Sequence, residues 1–142
     1  MIQQDIREHI ATFDSTAVFS YGRPFDTALD AATIEINQYF IHLDPIRFEG
    51  VANETELANV SIGFLLQDKP DSSFDNENNL DITDSIETIQ YNAKVKSLAW
   101  LNDFLDNYTF SGSTYTITPV TRIKNVMSGV LLTLQLRYKP TC

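Results

Sequence analysis

The chain contains one long helical pattern, DITDSIETIQYNAKVKSLAWLNDFLDN, at residues Asp81–Asn107. Its apolar side chains recur at the three- and four-residue spacing of an amphipathic helix, at Ile82, Ile86, Ile89, Ala93, Trp100 and Phe104. The pattern predicts a helix over residues 82–107, about 37 Å long at a rise of 1.5 Å per residue. Because its apolar stripe is wide, we expect this helix to lie across one face of a small sheet.

Length and composition indicate a single domain, 1–142. A chain of 142 residues buries roughly 70% of the surface that its unfolded form exposes. Hydrophobic residues make up 43% and aromatic residues 11%, which excludes the disordered and low-complexity classes. The single cysteine, Cys142, excludes an intramolecular disulfide and suits a reducing compartment. Since the first residues lack a signal-peptide pattern and no apolar run reaches about 18 residues, we expect a soluble protein folded in the cytoplasm, without a membrane partner.

The first residues form a second helical pattern. Four apolar side chains are spaced four, four and three residues apart: Ile2, Ile6, Ile10 and Phe13. They predict an N-terminal helix over residues 2–13 with its polar side chains in water. The β-branched and aromatic residues of Thr16–Tyr21 then predict a short strand.

Two further strands are expected before the long helix. Residues Ile34–Leu43 alternate at first and become apolar on both faces from Tyr39 onward, which places this strand inside the sheet. His42 lies in this run and is expected to be a hydrogen-bonded core or interface histidine rather than a catalytic one. A polar loop at Glu49–Glu56 separates it from Val60–Leu66, where apolar and small or polar residues alternate.

An acidic loop, 68–81, precedes the long helix. Its oxygen-bearing side chains at Asp75, Glu77, Asn79 and Asp81 are spaced two apart, as in a calcium-binding loop. The sixth position lacks the required glycine, and Ile86 occupies the twelfth position, where a bidentate glutamate is needed. A solvated connection is therefore favoured over a calcium site, and we expect neither a metal nor a cofactor.

The last third of the chain predicts a β-hairpin over residues 114–139. Its first strand carries Pro119, which cannot donate to a sheet ladder and so indicates an edge or a bulge. Asn125–Gly129 supplies turn residues. In the second strand, Leu131 lies among polar residues on the side opposite the apolar row.

Together these elements predict an α+β fold. We expect an antiparallel or mixed sheet of four to five strands, with the long helix and the N-terminal helix packed on one face. Spare apolar surface on the other face and an exposed edge are typical of a subunit interface before assembly.

The net charge of −9 is distributed unevenly along the chain. Residues 1–67 carry ten acids and three bases, residues 68–87 seven acids and one base, and residues 88–142 two acids and six bases. One interpretation is that solvated faces merely differ in sign. The other is a head-to-tail contact between the acidic face of one copy and the basic part of the next. The candidate interface residues are Arg122, Lys124, Arg137, Lys139, Leu131, Asp71, Asp75 and Glu77.

The order of elements resembles that of the tail-terminator and head–tail connector (neck) proteins of tailed bacteriophages. The segments that carry the resemblance are Tyr39–Pro45, Ile117–Arg122 and Asn125–Val130. The resemblance implies a non-enzymatic virion protein that forms a ring, a hexamer or a dodecamer, and is assembled in the host cytoplasm. It also implies neighbouring portal, connector or tail-tube proteins, with DNA passing through the lumen without sequence-specific binding.

Two other functions remain open from the residues. An enzyme would use the carboxylate pair Asp103 and Asp106, one helical turn apart, although such pairs usually form a solvated helix face. A small-ligand-binding module would have a pocket between helix and sheet, lined by Trp100, Phe104 and Tyr91. Aromatic residues at helical spacing are more often core, which favours the ring protein.

Overall fold

The computed structural model describes six segments of the chain, 2–21, 38–50, 55–67, 80–108, 110–123 and 127–138, with the backbone alone at 67, 80–85 and 122–123. The elements in chain order are α1 (Ile2–Phe13), β1 (Val18–Tyr21), β2 (Tyr39–Leu43), β3 (Arg47–Gly50), β4 (Glu56–Gln67), α2 (Leu80–Asn107), β5 (Gly112–Ile123) and β6 (Met127–Tyr138). The predicted acidic loop 68–81 lies outside the described residues except for its last two, which are the first residues of α2.

The strands form one mixed sheet, which confirms the predicted α+β class. Its order is β1-β2-β4-β6-β5, and β3 also pairs with β4. The β1–β2 pair is parallel, and the remaining pairs are antiparallel. β2 and β3 pair with successive halves of β4, and the Asp44 amide between them donates to the Ser61 carbonyl at 3.0 Å.

The described sheet has six strands where four to five were expected, because β3 was not predicted. Glu49 and Gly50 fall in the predicted polar loop but pair with Leu57 and Glu56 of β4. All four residues of β3 are exposed, so the strand shows no apolar alternation. β3 is a strand only because it is hydrogen-bonded to β4, and the local sequence pattern contains no signal of that contact.

The core lies between the two helices and one face of the sheet, as expected. Ile6 and Ile10 of α1 and Trp100 and Phe104 of α2 are buried in it. The sheet contributes alternate residues of its two central strands, Ala58, Val60, Ile62, Phe64, Val130, Leu132, Leu134 and Leu136. Burial of this contiguous apolar cluster is the main stabilising term of the fold.

The other face of the sheet is also buried at one end. Phe40 and His42 of β2, Leu65 of β4 and Met127 of β6 project to this face and are at most 1% exposed. The Phe40 and His42 rings stack with centroids 6.0 Å apart. The sequence prediction that β2 is apolar on both faces from Tyr39 onward is confirmed.

Lys96 of α2 joins the long helix to the end of α1. Its Nζ lies 2.7 Å from Asp14 Oδ2 and 4.6 Å from the centre of the Tyr39 ring. Thr16 donates to Asp14 Oδ1 from its amide at 3.0 Å and its hydroxyl at 2.6 Å. Burial acts to raise the pKa of the Asp14 carboxyl, but the hydrogen bonds from Lys96 and Thr16 outweigh it and hold the pKa below the ordinary 3.8.

Asp14→Asn is expected to lower the free energy of unfolding by about 1.5–3 kcal/mol at pH 7, the usual range for hydrogen bonds to a charged group. The native pKa of Asp14 is depressed, so its contribution is complete above 3.8 and is lost as the pH falls through the native value. The difference between wild type and variant should therefore shrink below about pH 4. Urea denaturation at pH 7 and pH 3 measures this. Asp106→Asn, at an exposed position of α2, is the control.

In the described part of the chain, neither helix has the length and hydropathy needed to cross a bilayer.

Candidate functional site

β5 is the outermost strand on one side of the sheet. Among the described strands it pairs only with β6, and beyond Pro119 the Val120 carbonyl accepts from Gln90 Nε2 of α2 at 3.0 Å. Residues 112–116 and residues 118–119 are exposed. From Gly112 to Thr121 the strand contains no charged residue. A long, uncharged, exposed edge is a template for pairing with another strand.

One end of this edge has the features that normally prevent pairing with another strand, a proline and a bulge. Pro119 lies in the strand, and the β5–β6 register shifts between Val120 and Ile123. Both alternatives predicted for Pro119, an edge and a bulge, therefore occur together. The seven residues Gly112–Thr118 have neither a proline nor a charge. We call them the open edge.

β5 begins at Gly112, two residues before the predicted hairpin. The Ser111 amide donates to the Arg137 carbonyl at 2.8 Å, and the Ser111 hydroxyl donates to the same oxygen at 3.0 Å. These two bonds join the chain to β6 ahead of the apolar alternation. The extra residues lengthen the open edge.

The sheet face away from the helices is polar beside the open edge. Thr114 donates to Gln135 Oε1 at 3.5 Å, and Gln135 Nε2 donates to Asn59 Oδ1 at 3.1 Å, which links three strands. Thr116, Thr133 and Ser61 form the next row of the same face. In the described part of β4, β6 and β5, Arg137 is the one charged side chain on this face. We call this surface the polar face.

The predicted interface residues divide into three groups. Arg137 and Leu131 both project to the polar face, where Arg137 is exposed and Leu131 is half-buried opposite Thr118. Arg122 belongs to β5 by its backbone. The remaining candidates lie outside the described residues: Lys124, Lys139, Asp71, Asp75 and Glu77. The structure therefore puts two of the eight on one face, six residues apart along β6, places a third by its backbone, and leaves the other five as predictions.

Lys96, one of the six bases of residues 88–142, is engaged within the chain. Its side chain is 24% exposed and contacts Asp14. Lys94 and Arg137 are exposed. The positive charge of Lys96 is therefore used within the chain, at the contact with Asp14.

Asp103 and Asp106 are both exposed on α2. Asp103 Oδ2 lies 2.7 Å from His9 Nε2, and the His9 ring packs edge-on against Trp100 and Phe104. Asp103 thus connects α2 to α1. This contact gives the carboxylate a structural role at the helix interface.

His42 is buried on the sheet face away from the helices, in the run where a buried histidine was predicted. It is 1% exposed, and its Nε2 lies 3.0 Å from Asp44 Oδ1.

The residues of the predicted ligand pocket do not meet in the structure. Trp100 and Phe104 are fully buried, with ring centroids 5.2 Å apart, whereas Tyr91 is 64% exposed. Two surface depressions near Gly112, of about 370 and 310 Å³, are lined by other residues. The expectation that Tyr91 joins the other two aromatics is wrong, because it lies on the solvent side of α2.

The comparisons with known proteins leave the family open. The chain matches no protein-family model, and a search of curated proteins finds no match either. A functional assignment therefore depends on the fold and on the surface chemistry of the open edge and the polar face.

Proposed function

We propose that this protein is a structural virion protein that forms a homo-oligomeric ring at the neck or tail end of a tailed phage, with DNA passing through its lumen. The observation that supports this proposal most directly is the open edge. Stable monomers protect long edge strands with charges, prolines or a covering element. The seven residues of the open edge carry no charge and no proline, and a partner strand would satisfy their backbone groups.

The distribution of charge supports a head-to-tail arrangement of copies. Residues 1–67, which contain β1, β2 and β3, have a net charge of −7, and residues 88–142, which contain β5 and β6, have a net charge of +4. The sheet order puts β5 at one side and β1 and β3 at the other. Opposite edges of the sheet therefore come from oppositely charged parts of the chain. Copies that join such unlike surfaces form a ring when the rotation between them closes.

The surface chemistry also suits a channel for moving DNA. Proteins that hold DNA do so chiefly by neutralising phosphates with lysine and arginine, and release of counterions drives that binding. This chain has a net charge of −9, and its polar face presents hydroxyl and amide groups with Arg137 as the described cation. Such a surface forms hydrogen bonds with water and binds phosphate weakly. DNA would slide past it.

Mass photometry and negative-stain electron microscopy of the purified protein, alone and with virion components, test the proposal. We expect closed rings of six or twelve copies with a central opening. A protein that stays monomeric at its highest soluble concentration, both alone and with those components, would overturn the proposal.

Reversing two bases of the hairpin, Arg122→Glu with Lys124→Glu, is expected to weaken self-association about tenfold, since two interfacial charges then repel the acidic neighbour. Sedimentation velocity over a concentration series measures the effect. Lys94→Glu, an equal change of charge per residue at an exposed position of α2, is the control and should leave assembly intact. Normal assembly of the double variant would contradict the charge-driven contact.

A further inference from the structure

We propose that β5 of one copy pairs antiparallel with β3 of the next copy, so that the sheet continues across the subunit boundary. This inference rests on the proposed ring function and specifies its contact. The donor surface is the open edge, Gly112–Thr118, and the acceptor is the side of Arg47–Gly50 that pairs with no other described strand.

Strand direction permits this pairing without turning either copy over. β5 is antiparallel to β6, β6 is antiparallel to β4, and β4 is antiparallel to β3. β5 and β3 therefore run in opposite directions within one copy. Two copies placed side by side in the same orientation bring β5 of one against β3 of the other as an antiparallel pair.

Exposed aromatic residues mark both edges on the same face. Tyr115 is 53% exposed and lies opposite Leu134 of the core row. Phe48 is 37% exposed and lies opposite Ala58, also of the core row. Both rings are thus on the helix side of the sheet, one at each edge. Joining the edges places them near each other and buries apolar area that each copy leaves in water.

Two observations select β3 over the other available edges. All four residues of β3 are exposed, whereas all four residues of β1 are partly buried. Pairing of β5 with β5 of a second copy joins like edges and stops at a dimer, whereas pairing with β3 joins unlike edges and can continue around a ring.

Distances within one copy make the contact testable by cross-linking. β6 and β4 lie between β5 and β3. Within one copy, β5 and β3 are therefore three strand spacings apart, about 14 Å. This distance exceeds the Cα separation of about 7 Å that a disulfide can bridge. A disulfide between the two edges must therefore join different copies.

The first experiment uses single cysteines in a Cys142→Ser background. The Tyr115→Cys and Phe48→Cys proteins are oxidised separately and as a mixture. The Ser113→Cys protein, whose cysteine lies on the same face as residue 115, is also mixed with the Phe48→Cys protein to test a second strand register. We expect a covalent dimer only in mixtures that combine a β5 cysteine with Phe48→Cys. A chain that carries both cysteines should give a ladder of covalent oligomers that ends at the ring size. Cross-linking of Tyr115→Cys protein with itself, or no cross-link in any mixture, would overturn the proposal.

The second experiment removes one backbone donor from the open edge. Pro119 stays in register with Val130, which requires its nitrogen to face away from β6, and Tyr115 points its N–H the same way because it lies four residues earlier. Tyr115→Pro removes this outward donor, whereas Tyr115→Ala shortens the side chain and keeps the donor. We expect association at least tenfold weaker for the proline variant than for the alanine variant, measured by mass photometry. Equal association of the two folded variants would contradict edge pairing.

The outcomes separate this inference from the proposed function. If the wild-type protein forms rings but the β5 and β3 cysteines do not cross-link, the ring function stands and the β5–β3 contact is overturned. If the wild-type protein forms no ring, the proposed function is overturned, and the β5–β3 contact that rests on it is overturned as well. If Tyr115→Pro does not fold, as judged by circular dichroism, the cross-linking result alone decides.

Discussion

Replacing Gly129 by alanine is expected to lower the free energy of unfolding by about 3 kcal/mol or more, at the upper end of what overpacking costs. Gly129 lies in β6 opposite Leu65 of β4, where the two backbones approach closely. A Cβ at Gly129 would overlap the Phe64 carbonyl oxygen and would lie 3.0 Å from the Leu65 Cα. These are backbone atoms of the central strand, so no side-chain rotation relieves the overlap. The β4–β6 ladder would have to separate locally.

Gly112→Ala is the matched control for this prediction. Gly112 also lies in a strand that pairs with β6, but among the described residues a Cβ there meets only the Arg137 Cβ at 4.0 Å, an ordinary contact. We expect its effect to stay within about 0.5 kcal/mol. In thermal denaturation the Gly129 variant should melt roughly 6–12 °C below wild type. Equal melting temperatures for the two variants would show that β4 and β6 are not packed as described.

The elements that the sequence predicted well are those that bury an apolar stripe. The helix predicted at 82–107 is found at Leu80–Asn107, and that predicted at 2–13 is found at Ile2–Phe13. α1 buries Ile6 and Ile10, and α2 buries Ile89, Ala93, Trp100 and Phe104, at spacings of four residues or of two helical turns. Because burial of that stripe drives both helix formation and packing, the period alone located these elements.

The elements that the sequence missed depend on contacts between distant residues. β3 pairs with β4 through exposed residues, and β5 begins early because Ser111 bonds to Arg137. Neither contact leaves an apolar period in the local sequence. Backbone hydrogen bonding, which is nearly independent of side-chain identity, decides both.

The candidate site could be predicted only in part, because some of its features are local in sequence and others depend on the order of the strands. Pro119 signalled the edge because a proline lacks the donor that a central strand requires. The uncharged run from Gly112 to Thr121 was visible in the sequence, yet its meaning required the sheet order that leaves β5 outermost. Lys96 is an example of a contact that the sequence did not indicate, since its pairing with Asp14 joins residues 82 positions apart. A charge count gave no sign that this base is used internally.

The aromatic residues of α2 show that residue type alone does not place side chains in the same site. The alternative ligand-binding function would place Tyr91 and Trp100 in one pocket, but Tyr91 is 64% exposed and Trp100 is fully buried. Nine positions on a helix of 3.6 residues per turn rotate a side chain by 900°, which leaves the two residues on opposite sides. Residue type suggested a shared site, whereas helical geometry separates them.

Trp100→Ala is therefore expected to destabilise the protein by about 3–5 kcal/mol, the usual cost of removing a large aromatic side chain from a packed core. The indole lies among three rings, with centroid distances of 5.2 Å to Phe104, 5.9 Å to His9 and 6.5 Å to Phe64. Its removal leaves a cavity where α1, α2 and the sheet meet. The surrounding rings are held by separate elements, so they are poorly able to fill that space.

Two companion variants separate cavity formation from other effects. Trp100 Nε1 is buried and has no hydrogen-bond partner among the described residues, so Trp100→Phe keeps most of the ring volume and removes an unsatisfied donor. We expect it to cost about 1 kcal/mol or less. Tyr91→Ala, on the exposed side of the same helix, should change stability by at most about 0.5 kcal/mol. Guanidinium denaturation monitored by circular dichroism measures all three. If Tyr91→Ala costs as much as Trp100→Ala, the two aromatics share one packed environment, and their separation on opposite sides of α2 is wrong.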